Sequence, residues 1–175
     1  MTLAAANRLV EGLAGTCRQR PLAEKWVLAP SLRTGYQWMD AVSMTGQPVF
    51  NARVKTLAHL ALELAGPLMQ EEGLEMARGA GLQVLAARVL SEHRKSRKEK
   101  GYLSRLRPSP GIIDALLATL RDLRLAGLSP SRLEPSPFET PEKGAEISRL
   151  LALYEKMLSG SGLVDYPALL QLAAR

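Results

Sequence analysis

The chain has 175 residues and a net charge of +6, with 46% of residues hydrophobic and 23% charged. That balance excludes disorder over most of the length and suits one domain, or one small domain with an appended helical piece. A single cysteine, Cys17, excludes an internal disulfide and a multi-cysteine zinc site, and the two histidines, His59 and His93, leave little for a metal cluster.

In chain order, residues 2–15 read as a helix. Thr2 stands at a capping position, Leu3, Ala6, Val10 and Leu13 recur at helical spacing, and a break is expected near residues 16–22, where Pro21 falls. Trp26, Val27, Leu28 and Ala29 form a short apolar run that reads as a buried strand. Ser31 is a good cap for a helix through about Val42, with Leu32, Tyr36 and Met39 on one face. Val49 to Thr56 reads as a second strand, in which Phe50, Ala52 and Val54 alternate with Asn51, Arg53 and Lys55. A helix with Leu57, Leu60, Leu64 and Leu68 on its face follows directly. Two short strands joined by a helix predict a right-handed parallel βαβ crossover.

Beyond residue 73 no further β-rich run is expected. Leu82, Leu85, Ala86, Val89 and Leu90 begin an amphipathic helix. Ser109 and Pro110 start another, with Ile112, Ile113, Leu116, Leu117, Leu120 and Leu123 on one face and Gly127 at its end. After a Pro/Ser connector, Thr140 and Pro141 open a helix striped by Ile147, Leu150, Leu151, Tyr154, Met157 and Leu158. Asp165 caps a last helix that is still apolar, at Leu169, Leu170 and Leu172, where the sequence stops, which suggests a chain cut from something longer. The fold class expected is therefore α/β, a small parallel sheet over residues 1–73 followed by a mostly helical bundle over 74–175. No transmembrane run and no secretory signal are present in the sequence, and a reduced, cytoplasmic setting is expected.

The positive charge is concentrated. Residues 88–107 hold Arg88, Arg94, Lys95, Arg97, Lys98, Lys100, Arg105 and Arg107 against Glu92 and Glu99, a local excess equal to that of the whole chain. Such a run is ordinarily a solvated helix end, His93 included. It also attracts polyanions by Coulomb force and counterion release, and Tyr102 within it offers a ring for stacking on a base. On that reading Arg94, Lys95, Arg97, Lys98 and Lys100 contact phosphates without base specificity.

Catalytic signatures are missing. There is no phosphate loop with its Gly-Lys pair, no dinucleotide fingerprint and no Glu-x-Lys of the restriction-type nucleases. Gly12 to Thr16 only faintly resembles a phosphate loop and follows a helix. Cys17 reads as a buried or incidental thiol and His59 as a packed or capping residue rather than a base. No cofactor, no metal and no catalytic set are expected from this chain alone.

Three segments, in order, resemble UvrD-like superfamily 1 helicases. Trp26-Val27-Leu28-Ala29-Pro30-Ser31-Leu32-Arg33 resembles their motif Ia strand-to-helix turn. Arg53-Val54-Lys55-Thr56-Leu57-Ala58-His59-Leu60-Ala61 resembles their next strand and Thr-Phe-His-Ser-type turn. Leu153 to Leu158 followed by Gly162 to Leu170 resembles their Asp-Phe-x-x-Leu-Leu stretch. Among these proteins the chain is most similar to the N-terminal region of AddB-type helicase–nuclease subunits, which serve double-strand break repair and often carry inactivated ATPase parts. The resemblance implies a P-loop-NTPase-like remnant without its phosphate loop, with Leu57 and Ala58 standing where the helicases carry Phe and His. It implies that Ser31, Arg33, Thr56 and His59, at the two strand-end turns, face DNA, single-stranded or at a duplex end. It also implies partners in the protein's own C-terminal domains or a helicase–nuclease subunit. Two other expectations stay open: a helical protein–protein interaction module that binds no DNA, and part of an active helicase whose phosphate loop lies upstream.

Overall fold

In this computed structural model residues 3–96, 101, 103, 109–134 and 138–175 are described. The fold is mixed α/β and mostly helical, with seven helices and two small two-stranded parallel sheets among the described residues. The chain divides within its third helix into two compact units, residues 1–64 and 65–175. Among the described residues no helix is long and apolar enough to cross a membrane.

The first unit begins with α1 (Leu3–Gln19), which runs through Gly12 and Gly15 and buries Ala14 and Cys17. Strand β1 (Lys25–Leu28) and strand β2 (Ala52–Lys55) pair in parallel, Leu28 opposite Lys55, around α2 (Leu32–Met44). The βαβ order expected from the sequence is present, but three faces differ from expectation. Along β1 only Lys25 and Val27 are buried, whereas Trp26 and Leu28 are half exposed. In α2 the buried positions are Gly35 and Val42 rather than the Leu32 and Tyr36 stripe. The cause is close approach. A Cβ at Gly35 would stand 2.2 Å from Val54 Cγ1 and 3.1 Å from Ala29 Cβ, so the helix turns its smallest residue to the sheet and its larger ones outward. In β2 the alternation begins later than expected, because Asn51 has φ 50 and puts Phe50 out of phase and in solvent.

Helix α3 (Leu57–Glu71) follows β2 after one residue. It buries Ala61, Ala65 and Met69, while Leu57 and Leu64, expected on its inner face, are more than half exposed.

The second unit holds the main core. Helices α4 (Ala80–Ser96), α5 (Pro110–Leu125) and α6 (Pro141–Gly160) pack through Leu85, Val89, Leu90, Leu116, Leu120, Ile147, Leu150, Leu151, Tyr154 and Leu158. The caps are those the sequence announces: Ser109 receives the Ile112 N–H, Thr140 that of Lys143, and Asp165 that of Ala168 at the start of α7 (Tyr166–Ala173). Gly127, at φ 71, stops α5 as a left-handed residue after the cap. One element was not expected: β3 (Glu75–Met76) pairs in parallel with β4 (Leu163–Val164). Two-residue strands leave no alternation to read in a sequence.

Candidate functional site

Parallel pairing decides where the strands deliver the chain. Leu28 lies opposite Lys55, and the Ala29 N–H donates to the Lys55 carbonyl at 3.0 Å, so both strands leave the sheet at one edge. From that edge two helices begin. Ser31 Oγ accepts the Thr34 N–H at 3.1 Å, and Thr56 Oγ1 accepts the His59 N–H at 3.3 Å. Each hydroxyl satisfies one of the first-turn N–H groups, and the others face outward with the positive end of the helix dipole. Ser31, Arg33 and His59 are exposed and Thr56 is half-buried. The four residues implied by the helicase resemblance therefore share one strand-end edge. Of the two states expected for His59, packed or capping, it is not packed: it is exposed, and its backbone N–H enters the Thr56 cap.

The sheet face beside this edge carries groups that periodicity misplaces. Trp26, at 50% exposure, donates its indole N–H to Glu24 at 3.1 Å, and the same carboxylate holds the Arg53 guanidinium at 3.1 Å. Lys55, on the polar side of the strand's alternation, is buried; its ammonium lies 4.0 Å from the Trp26 ring centroid and pairs with Glu63. Lys25 is also buried, and its ammonium donates to the carbonyls of Arg20, Pro21 and Ala23, which fold the preceding loop around it. Tyr36, one turn into α2 from Leu32, is 54% exposed. Trp26 and Tyr36, with Phe50, give this unit exposed aromatic surface, and a strand read as buried conceals the first of them.

The basic run is placed only in part. Arg94 and Lys95 are exposed in the last turn of α4, where cations complement the helix dipole, and Lys95 pairs with Glu92 at 2.9 Å. Arg97, Lys98 and Lys100, with Tyr102, Arg105 and Arg107, lie outside the described residues. His93, expected in solvent, is buried, and its Nε2 meets Glu146 Oε1 at 2.8 Å. The other Glu146 oxygen accepts the Leu103 N–H at 2.9 Å. One fully buried carboxylate of α6 thus holds a residue on either side of residues 94–102. The signal that finds it is an acid at the i−4 position of the apolar Leu150 and Tyr154 row, a place where a lone carboxylate would be costly.

A second polar cluster is structural. Arg124 grips Asp165 through Nε at 3.0 Å and Nη2 at 3.1 Å, and reaches Glu155 through Nη1 at 2.6 Å. Tyr154 donates its hydroxyl to Asp165 at 3.3 Å. Burial first, and then the Asp165 charge and hydrogen bond, push the Tyr154 hydroxyl well above the ordinary tyrosine range, against the opposing pull of Arg124. The cluster ties α5, α6 and the cap of α7 together. Among the described residues no group of three His, Cys, Asp or Glu side chains is placed to hold a metal ion. No family model matches the chain, and no curated protein is significantly similar to it.

Proposed function

We propose that this chain is a non-catalytic nucleic-acid-binding and scaffolding region of a larger, cytoplasmic DNA-repair helicase–nuclease, one that lacks its own phosphate loop. The observation that carries the reading is the shared edge of the β1–β2 pair. Parallel strands that end together, each followed by a helix whose first turn is capped by a hydroxyl, are the arrangement in which backbone N–H groups hold phosphates. Arg33 supplies charge there, and Tyr36 and Trp26 supply exposed rings for unpaired bases. Arg94 and Lys95, with the rest of the basic run, add phosphate contacts without reading sequence.

Binding of a fluorescent oligothymidylate at several salt concentrations tests this. Each phosphate contact on a single strand contributes about −0.7 to the log–log salt slope. Arg33→Glu is expected to weaken binding and lower the slope by about that amount, with Arg94→Glu doing the same. Failure of the native chain to bind any oligonucleotide at low salt would discard the reading.

The rival is a protein–protein module. It is favoured by the apolar groups the first unit leaves in solvent, with Leu22 83%, Met44 88% and Phe50 60% exposed. Such a module binds no nucleic acid at low salt and is insensitive to Arg33→Glu.

A further inference from the structure

From the second unit we infer a nucleotide-sized site, resting on the nucleic-acid reading, in which one base of a bound single strand leaves the solvent. The site is a cavity of about 510 Å³ lined by Ala87, Leu90, Ser91, Arg94, Lys95 and Ile113. That volume falls within the ~300–1,000 Å³ of small-molecule sites. Its chemistry is divided. Ala87, Leu90 and Ile113 give an aliphatic floor, drawn from the third and fourth turns of α4 and the first turn of α5. Ser91, Arg94 and Lys95 give a hydroxyl and two cations at the rim, all exposed.

An apolar floor beside two cations matches a ligand that is flat and weakly polar at one end and anionic at the other. A nucleoside phosphate has that form. A bare phosphate would leave the floor unused, and an apolar peptide side chain would leave the cations unused. Lys95 is engaged by Glu92 at 2.9 Å, but both side chains are well exposed, so that pair holds the ammonium weakly and yields it to a phosphate. Arg94 has no ion pair among the described residues and presents its planar donors at the rim. The general basic run attracts any polyanion; this cavity adds a preference for strands that carry bases.

The test compares two oligomers of equal length and phosphate count on the whole chain, oligothymidylate and a fully abasic strand, with thymidine monophosphate as a third ligand. The base-bearing strand is expected to bind on the order of tenfold more tightly, the worth of partly burying one base on an apolar floor. Ala87→Leu and Ala87→Met, which fill the floor, are expected to shrink that difference to whatever Trp26 and Tyr36 contribute and to leave the abasic affinity as it was, with circular dichroism and thermal melts confirming the fold. Arg94→Gln is expected to weaken both strands alike. Equal binding of the two strands by the native chain would overturn the cavity assignment, and base stacking on Trp26 and Tyr36 with it, while leaving the phosphate contacts of the nucleic-acid reading intact. Absence of binding to either strand would remove both. Tight binding of the free monophosphate with no gain from a strand would reassign the cavity to a free nucleotide and overturn the strand assignment.

Discussion

The two units spend their apolar residues in opposite ways. In the second unit Leu120, Leu150, Leu151 and Leu169 are fully buried, and the polar groups that enter the core arrive with partners: His93 with Glu146, Arg124 with Asp165 and Glu155. In the first unit the buried apolar residues are small (Ala14, Cys17, Val27, Ala29, Val42 and Ala61) and Leu22, Trp26, Leu28, Tyr36, Met44 and Phe50 stand in solvent. A parallel pair is ordinarily covered on both faces. Here α2 closes on the Val54 side at Gly35, while Trp26 and Leu28 of the other face stay half open. The contrast teaches that the second unit is built mainly to be stable and the first to present surface.

The sharpest way to break that comparison is to remove the cation at the centre of the second unit. Arg124→Met leaves Asp165 buried at 3% exposure without its guanidinium, and the expected loss is ~3–5 kcal/mol in urea unfolding. A cost below ~1 kcal/mol, the range of exposed pairs, would show that the cluster is wetter than its burial indicates. Next in size is a matched pair of truncations. Leu151→Ala is expected to cost ~2–5 kcal/mol, because Leu151 is fully buried. Leu28→Ala removes the same atoms from a side chain 51% exposed, and about 1 kcal/mol or less is expected. Equal losses would erase the distinction between the units. Gly35→Ala then probes a tight packing contact of the first unit. Its methyl would meet Val54 Cγ1 at 2.2 Å, and about 1–3 kcal/mol of overpacking is expected, with faster amide exchange in α2, β1 and β2. Unchanged exchange there would mean that α2 lifts from the sheet without cost.

The same contrast explains what could be read from the sequence. In the second unit, spacing and caps suffice for the helices: Ser109, Thr140 and Asp165 each start the helix they announce, and the α6 stripe is buried or half-buried as its periodicity requires. A helix surrounded by other helices buries what its pattern offers. In the first unit, element order was legible and facing was not. Nothing local says that Gly35 rather than Tyr36 meets the sheet, since that follows from how closely α2 approaches Val54. Nor does alternation foresee that the Trp26 ring would cover Lys55, or that Asn51 at φ 50 would reset the phase of β2. The strand-end turns were found because a parallel pair must place them together. The Glu146 clasp was missed because its partners lie 53 and 43 residues away in the chain.

The smallest expected effect lies inside the Arg124 cluster and concerns alkali. The Tyr154 hydroxyl is buried and faces the Asp165 carboxylate, so the folded chain resists its ionisation, whereas the unfolded chain releases the proton near the ordinary value of 10.0. A pKa raised by folding means that this hydroxyl contributes its full stability below pH 10.0 and loses it as the pH climbs beyond, since the unfolded state then sheds a proton that the folded state keeps. The slope from one such group cannot exceed ~1.4 kcal/mol per pH unit. Tyr154→Phe removes the group from both states. Near neutrality it is expected to cost only ~0.5–1 kcal/mol, for one long hydrogen bond. Urea unfolding at about pH 8 and about pH 11 should then show the variant losing less stability between the two than the native chain. All other groups are common to both proteins and cancel in the difference. Identical losses would mean that Tyr154 ionises as freely in the fold as out of it, and that water reaches the centre of the second unit's polar cluster.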